Sequence, residues 1–563
     1  MKYFTMNILA LLFAVTVGNS QTFQWAKSIG GPNFEWGHSV AIDKLGNVYT
    51  TGWFKGTIDF DPGPDTSYLS SIGGDASAYI LKLNPNGDFL WARSVDATIY
   101  YEGLSIAVDI FGDVCIVGAY EGTVDFDPGI EVFNLASEGN EDVFIMKMDS
   151  EGTFLWAKSL GAADKDIGFS IVTDSFGNIY TSGYFAETVD FDPGQGIATL
   201  ASNGEDDVFV LKLDSEGDFQ WVKSLGGIGW AEGLSIDIDS YDNVYFTGRF
   251  YGTLSFDLGS GMVDLTSIGD WDIYISKLNS NGDFMWVKSI GGTNYEKSIS
   301  ITVDDYGNVY STGFFKGTVD FNPGVGINNL TSFGSRDIFI FKLSSEGDFL
   351  WANNMGGLYD DNGSSIAVDE FGYVYVTGSF LGNLGFGSQA EIINLESAGS
   401  TDIVLTKMNS EGQILWAKNI GGESYEESYS IAVDSYSNLY LTGRFTDTSD
   451  FDPGVGIANL LSEGSTDAFI LKLDGTNVGK SENSFDFISR IYPNPTKGEI
   501  NINLGVTYDI INVIVRNQIG QVVLNQSFKG LSVLQLDIPG LAGMYFIEVR
   551  SQNKNEILKV VKE

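Results

Sequence analysis

The side chains in this sequence best suited to chemistry are carboxylates, and they recur at fixed intervals. Five loops carry the phrase DF(D/N)PG, with pairs at Asp59/Asp61, Asp125/Asp127, Asp190/Asp192, Asp320/Asn322 and Asp450/Asp452. Two related loops depart from it, with Ser255/Asp257 and Gly385/Gly387 at the same places. Two carboxylates flanking one residue on a Pro-Gly turn suit Ca2+, a hard cation that gathers carboxylate and carbonyl oxygens. The phrase lacks the third acid and the distant bidentate Glu of an EF-hand loop. The alternative is a tight turn whose acids accept local backbone N–H groups. Ca2+ is the one cofactor these residues suggest, with Asp59, Asp61, Asp125, Asp127, Asp190, Asp192, Asp320, Asp450 and Asp452 as its candidate ligands.

A second set of acids precedes a recurring serine by three or four residues: Glu35, Glu102, Asp166, Glu232, Glu296, Asp361 and Glu426. Gathered round one opening they would focus a negative potential on a cation or basic ligand. Placed inside their own loops they would accept backbone N–H groups. A single ligand must break such repetition, so the non-repeating residues are the candidate binding set. These are Trp36, His38, Trp230, Arg249, Trp271 and Arg444, with Arg336 beside them. Aromatic faces next to guanidinium groups stack sugars and peptides. No nucleophile–base pair, metal triad or phosphate loop emerges from them. A pair of glycosidase carboxylates stays open, because their separation is not written in a sequence. His38 is the one histidine, which excludes a His-cluster zinc site. Cys115 is the one cysteine, which excludes an internal disulfide, and it sits in an apolar strand-like run.

These residues are positioned by a repeat. Trp25, Trp91, Trp156, Trp221, Trp286, Trp351 and Trp416 stand in near-copies of FxWAKSIGG, 66 residues apart at the first step and 65 thereafter. A fixed period of this kind is the first determinant of architecture. Four short runs rich in Val, Ile, Phe and Tyr recur within each period. In the second repeat they are Ser105–Asp109, Val114–Val117, Asp142–Met148 and Thr153–Ser159, with Asn/Asp/Ser/Gly turns between them. Four antiparallel strands per period make a propeller blade. The array opens on a lone fourth strand, Phe23–Ser28, and ends on a third strand, Asp467–Leu473. The two fragments complete one blade, which predicts an all-β, seven-bladed propeller closed by its N-terminal strand without capping repeats.

The recurring phrases SIAVDxxGNVYxTGxF and DxFIxKLxxxGxFxWAKSxGG resemble the bacterial SBBP-type β-propeller repeats, from about Phe23 to Gly475. That resemblance implies the architecture and names no activity. After Asp474 the repeat stops at a polar linker, GTNVGKSENS, and short alternating strands follow that read as a small β-sandwich. Tyr492-Pro493-Asn494-Pro495 with Gly498, Gly543-Met544-Tyr545 and the basic end Lys559–Lys562 resemble the C-terminal sorting domain of type IX secretion. The resemblance implies recognition by secretion machinery at the outer membrane and release or attachment at the cell surface.

Charge and the N-terminus fit that destination. The chain carries 31 Lys+Arg against 74 Asp+Glu, a formal net charge of -43, and nearly all the excess lies before Thr476. Such a field repels nucleic acid and anionic membranes. Lys2, the apolar run Ile8–Val17 and the small residues up to Ser20 read as a signal peptide. No other run is long and apolar enough to span a bilayer. The expected divisions are 1–20 signal peptide, 21–475 propeller, 476–487 linker and 488–563 sorting domain. The expected function is an exported, non-catalytic binding protein with a protein, glycan or mineral-ion ligand. The alternative is a hydrolase or lyase acting on extracellular polysaccharide.

Overall fold

A computed structural model describes residues 22–71, 76–97, 100–257, 262–386, 394–475, 490–492, 496–508, 510–517, 521–551 and 554–562. The signal-peptide expectation, the whole of the expected linker 476–487 and Pro493–Pro495 lie outside them. The described residues are all β, with no helix among them, and none therefore forms a helix able to cross a membrane. They divide into two compact units on either side of Gly475/Thr476.

In the larger unit each sequence repeat folds as an antiparallel set of four strands. In the second repeat the inner strand Tyr100–Val108 pairs with Val114–Glu121. That strand pairs with Asp142–Met148, which pairs in turn with the outer strand Phe154–Leu160. The third strands are apolar on both faces and buried throughout, as in Ser77–Leu83 and Asp272–Leu278. The set that begins with the inner strand Glu426–Val433 is completed from the far end of the chain, where Thr22–Ile29 pairs with Asp467–Asp474. Trp25 there lies opposite Lys472.

The inner strands are tied sideways by one repeated bond. Ser39 Oγ accepts the backbone N–H of Ile106, and Ser105, Ser170, Ser235, Ser300 and Ser365 accept those of Ile171, Ile236, Ile301, Ile366 and Ile431. Ser430 accepts that of Val40, so the series returns to the repeat where it began. All seven bonds measure 3.1–3.3 Å. A second series runs along the outside. Lys82 Nζ and Trp91 Nε1 both donate to the carbonyl of Ser150 in the next repeat, at 2.7 and 3.1 Å. Lys472 and Trp25 converge on the carbonyl of Pro85 in the same way. A third-strand lysine also approaches the Asp that closes the inner strand of its own repeat, closely at Lys147–Asp109, 2.8 Å, and at longer range at Lys212–Asp174, 3.9 Å, and Lys342–Asp304, 4.0 Å. The Asp that closes each inner strand mainly caps the following turn, as Asp43 does for the N–H groups of Leu45 and Asn47.

The long segments between second and third strands, read from sequence as loops, include β-hairpins that reach the neighbouring repeat. Thr123–Asp125 pairs with Asn134–Ala136 on one side and with the outer strand Phe89–Ala97 on the other. Gly226 faces Ser255, Met355 faces Phe386 and Gly421 faces Asp450 in the same manner. The aromatic residue of DF(D/N)PG is the anchor. Phe60, Phe126, Phe191, Phe321 and Phe451 are buried, each edge-on to a second aromatic ring 5.1–5.3 Å away. Edge-to-face pairs add to the burial term.

The smaller unit has two sheets over one core. Glu499–Tyr508 pairs with Arg490–Tyr492 and Leu531–Asp537. Ile511–Asn517 lies between Val522–Phe528 and Gly543–Ser551, and the latter pairs with Lys554–Lys562. Ile500, Ile502, Leu534 and Leu536 of one sheet meet Val513, Val515, Ile547 and Val549 of the other.

Removal of the hairpin anchor by Phe191→Ala is expected to lower stability by about 3–5 kcal/mol, the usual cost of a large cavity in a core. Asp192→Ala, which loses one turn-capping bond, is expected to cost about 1 kcal/mol. Urea unfolding of the full chain compares the two, and equal costs would refute the anchor role.

Candidate functional site

The site begins with an irregularity in every inner strand. Register shifts fall between Gly37 and Ser39, Gly103 and Ser105, Gly168 and Ser170, Gly233 and Ser235, Ser298 and Ser300, Gly363 and Ser365, and Ser428 and Ser430. Each is a β-bulge, which inserts one residue and re-aims a side chain. The inserted residues are His38, Leu104, Phe169, Leu234, Ile299, Ser364 and Tyr429. With six of the seven serines that follow they line a cavity of about 290 Å3. The bulge brings backbones very close. A Cβ on Gly183 would lie 1.9 Å from the carbonyl oxygen of Ile167, so only glycine fits there.

Two residues before each bulge, the inner strands carry Trp36, Glu102, Ile167, Glu232, Lys297, Asn362 and Glu427. Here the repeats diverge most. Trp36 lies 5.1 Å from Trp53 and 6.0 Å from both His38 and Tyr429, ring to ring. His38 stacks on Tyr429 at 5.8 Å. The Arg444 guanidinium lies over Trp36 at 3.9 Å and Tyr425 at 4.9 Å, and donates to Glu427 at 2.7 and 3.1 Å. Tyr429 donates to the same carboxylate at 2.6 Å, and the Tyr425 hydroxyl also bonds to it.

The second group joins the fourth and fifth repeats. Arg249 forms a two-pronged pair with Glu232, at 2.8 and 2.5 Å. It stacks on Trp271 at 4.3 Å and touches the Tyr295 hydroxyl. Trp230, Tyr251 and Trp271 lie 5.9–6.4 Å from one another, with Trp230 39% and Tyr251 42% exposed. The non-repeating residues read from sequence therefore gather as two sets, Trp36/His38/Arg444 and Trp230/Arg249/Trp271. Arg336 pairs with Asp360 at 2.9 Å and lies over Phe314. Sequence reasoning passed over Glu427, Tyr425, Tyr429, Tyr251, Tyr295 and Lys297. Aligning the repeats on the serine and reading the third residue before it would have found Glu427 and Lys297.

Beside the first group is a pocket of about 430 Å3, lined by Tyr359, Tyr425, Asp360, Asn362, Ser379, Thr401 and Glu427 among others. Tyr359 is 53% exposed. Its walls combine aromatic faces with hydroxyl, amide and carboxylate groups.

The acids before the serine separate by register. Glu35, Asp166, Glu296, Asp361 and Glu426, four residues ahead, are buried and bonded within their own loops. Glu35 accepts from Gly31 at 3.0 Å, Asp166 from Ala162 at 2.8 Å and Asp361 from Gly357 at 2.7 Å. Glu232, three residues ahead, falls on the other side of the strand and meets Arg249, because neighbouring positions point to opposite faces. Burial pushes the Glu35 carboxyl up to about 8 and those of Asp166, Glu296, Asp361 and Glu426 up to about 7.

The DF(D/N)PG carboxylates act within their own turns. Asp59 Oδ1 accepts the N–H of Asp61 at 3.1 Å and of Ser67 at 2.7 Å, and Asp61 Oδ1 accepts that of Gly63 at 2.7 Å. Asp125/Asp127, Asp190/Asp192, Asp320/Asn322 and Asp450/Asp452 repeat the pattern. Among the described residues no group of three or more His, Cys, Asp or Glu is disposed to hold a metal ion. Ser255 instead bonds Asp264, and Gly387 lies outside the described residues.

Residues 24–53, 155–184 and 355–384 match the SBBP β-propeller repeat family. Residues 490–563 match the secretion system C-terminal sorting domain family. The chain is thus a β-propeller repeat protein with a type IX sorting tail, which marks it for export to the medium or the cell surface. The uncharacterized WD repeat-containing protein L264 of Acanthamoeba polyphaga mimivirus is 24% identical over 503 residues, 75% of this chain and 36% of its own length. Regulatory protein FlaEY of Caulobacter vibrioides is 31% identical over 146 residues, 26% of this chain and 15% of its own. The chain spans only about a third of the first relative and less of the second. Among solved structures, Sqt1 from Chaetomium thermophilum aligns with a TM-score of 0.35 at 10% identity, over 81% of this chain and 99% of that one.

The buried acids set a pH dependence. Their folded-state values lie above the ordinary carboxylate values of about 4, so the folded protein holds protons that the unfolded chain releases. Their contribution is fully present below about pH 4 and is lost as pH rises through 7 to 8. The thermal midpoint of the full chain is expected to fall by several degrees between pH 5 and pH 8.5. Glu35→Gln is expected to shrink that fall, and a midpoint that rises across the interval would refute the assignment.

Proposed function

We propose that the repeat region is a seven-bladed β-propeller closed by its first strand, and that it is a non-catalytic binding protein for an extracellular glycan. In this reading residues 1–20 are the signal peptide, 21–475 the propeller, 476–487 the linker and 488–563 the sorting domain. Ring closure is supported by the pairing of Thr22–Ile29 with Asp467–Asp474 and by the serine series that returns to Val40.

The observation that carries the ligand assignment is the 430 Å3 pocket between the sixth and seventh repeats. A pyranose presents apolar C–H faces and a rim of hydroxyls. The rings of Tyr359 and Tyr425 match the first, and Ser379, Thr401, Asn362 and Asp360 match the second. The platform of Trp230 and Tyr251 offers a further stacking surface. Binding is favoured over hydrolysis because the nearest carboxylates are already engaged. Glu427 is held by Arg444 and two tyrosines, and Asp360 by Arg336. A general acid needs a carboxyl kept protonated and directed at substrate.

Titration of the full-length protein with a panel of soluble neutral and acidic polysaccharides tests this. At least one is expected to bind saturably, with Tyr359→Ala weakening it about tenfold, or about 1.4 kcal/mol. Tyr241→Ala, in an exposed turn between an inner and a second strand, is expected to leave binding intact. New reducing ends appearing during incubation would instead support the hydrolase alternative.

A further inference from the structure

The cavity among the inner strands has two unlike walls. Leu104, Phe169, Leu234 and Ile299, from four successive repeats, make one side apolar. Ser364, Tyr429 and His38, from the remaining three, make the other side polar. Lys297 also lines this cavity.

Lys297 stands apart from the other cations nearby. Arg249 is neutralised by Glu232, Arg444 by Glu427, Arg336 by Asp360 and Lys165 by Glu141. Among the described residues no carboxylate lies within ion-pair distance of the Lys297 ammonium, and no acceptor takes its hydrogens. It is half-buried. Burial and the neighbouring Arg249 charge lower its pKa, and Glu232 only partly offsets them. An ammonium has three donors, and in the cavity they face no protein acceptor among the described residues. An anion placed in the cavity would satisfy them.

We propose that the central channel binds a small carboxylate with an apolar body, the carboxylate on Lys297 and the body against Leu104, Phe169, Leu234 and Ile299. A cationic ligand is disfavoured by the adjacent Lys297 and Arg249. The volume of about 290 Å3 lies at the lower end of small-molecule sites, which suits a compact monoanion. The strongly negative surface does not prevent this, because charges beyond about 8 Å are largely screened at physiological salt. The site is separate from the glycan pocket, so either assignment can fail without the other.

The test is calorimetric titration of the full-length protein with phenylacetate, with phenethylamine and sulfate as controls. Saturable binding of phenylacetate alone is expected. Lys297→Met should weaken it by at least about tenfold, and Lys297→Arg should largely retain it. Leu104→Trp, which fills the apolar wall, should abolish it even if Lys297→Met does not fold. The proposal is overturned if phenylacetate fails to saturate at millimolar concentration. It is equally overturned if phenethylamine binds as well, or if folded Lys297→Met or Leu104→Trp protein binds like the parent.

Discussion

The architecture depends on how closely the inner strands of successive repeats pass one another. There each serine hydroxyl accepts an amide from the adjacent repeat, at 3.1–3.3 Å. That geometry needs the bulge before the serine and a glycine on the facing strand where a carbonyl intrudes. With those fixed, the outer layers follow. The tryptophan and lysine of one repeat reach the turn of the next, and the hairpin anchored by a buried phenylalanine clasps the repeat before it. Each lateral bond is worth only about 1 kcal/mol. Their effect lies in number and in the uniform spacing they impose.

Repetition and divergence separate cleanly along the inner strand. The serine and the positions facing neighbouring repeats keep nearly one identity throughout, because each must fit the same gap. The bulge residue and the one two before it face open space and are free of that constraint. His38, Phe169 and Ser364 occupy one such position, and Trp36, Lys297 and Glu427 the other. Both arginine–aromatic groups and the channel wall arise there.

Much of this was legible in the sequence. The tryptophan spacing gave the period, and the strand-and-turn alternation gave four strands per repeat. The seven acids before the serine were harder, because one residue of offset separates Glu232 from Glu296, and that offset exchanges a pair with Arg249 for burial within the acid's own loop. The long segments looked like loops because DF(D/N)PG reads as a turn, and nothing local reveals that Phe126 is buried or that Thr123–Asp125 pairs with a strand some thirty residues earlier. Trp36 and Arg444 were both singled out, and the completing half-repeats made the first and seventh repeats neighbours, yet that these two side chains stack depends on which way each points across the junction, which the sequence does not show.

The strand shared between the chain's two ends also has a mechanical meaning. Asp467–Asp474 leads directly into the segment that carries the sorting domain, and it lies between Leu439–Phe445 and Thr22–Ile29. A protein tethered through its tail would transmit drag from the surrounding fluid into this strand along its length. Two ladders of hydrogen bonds would then be loaded in shear and must yield together, whereas an edge strand peels one bond at a time. The junction with Thr22–Ile29, which has no covalent turn, is thus placed where tension is shared by both neighbours.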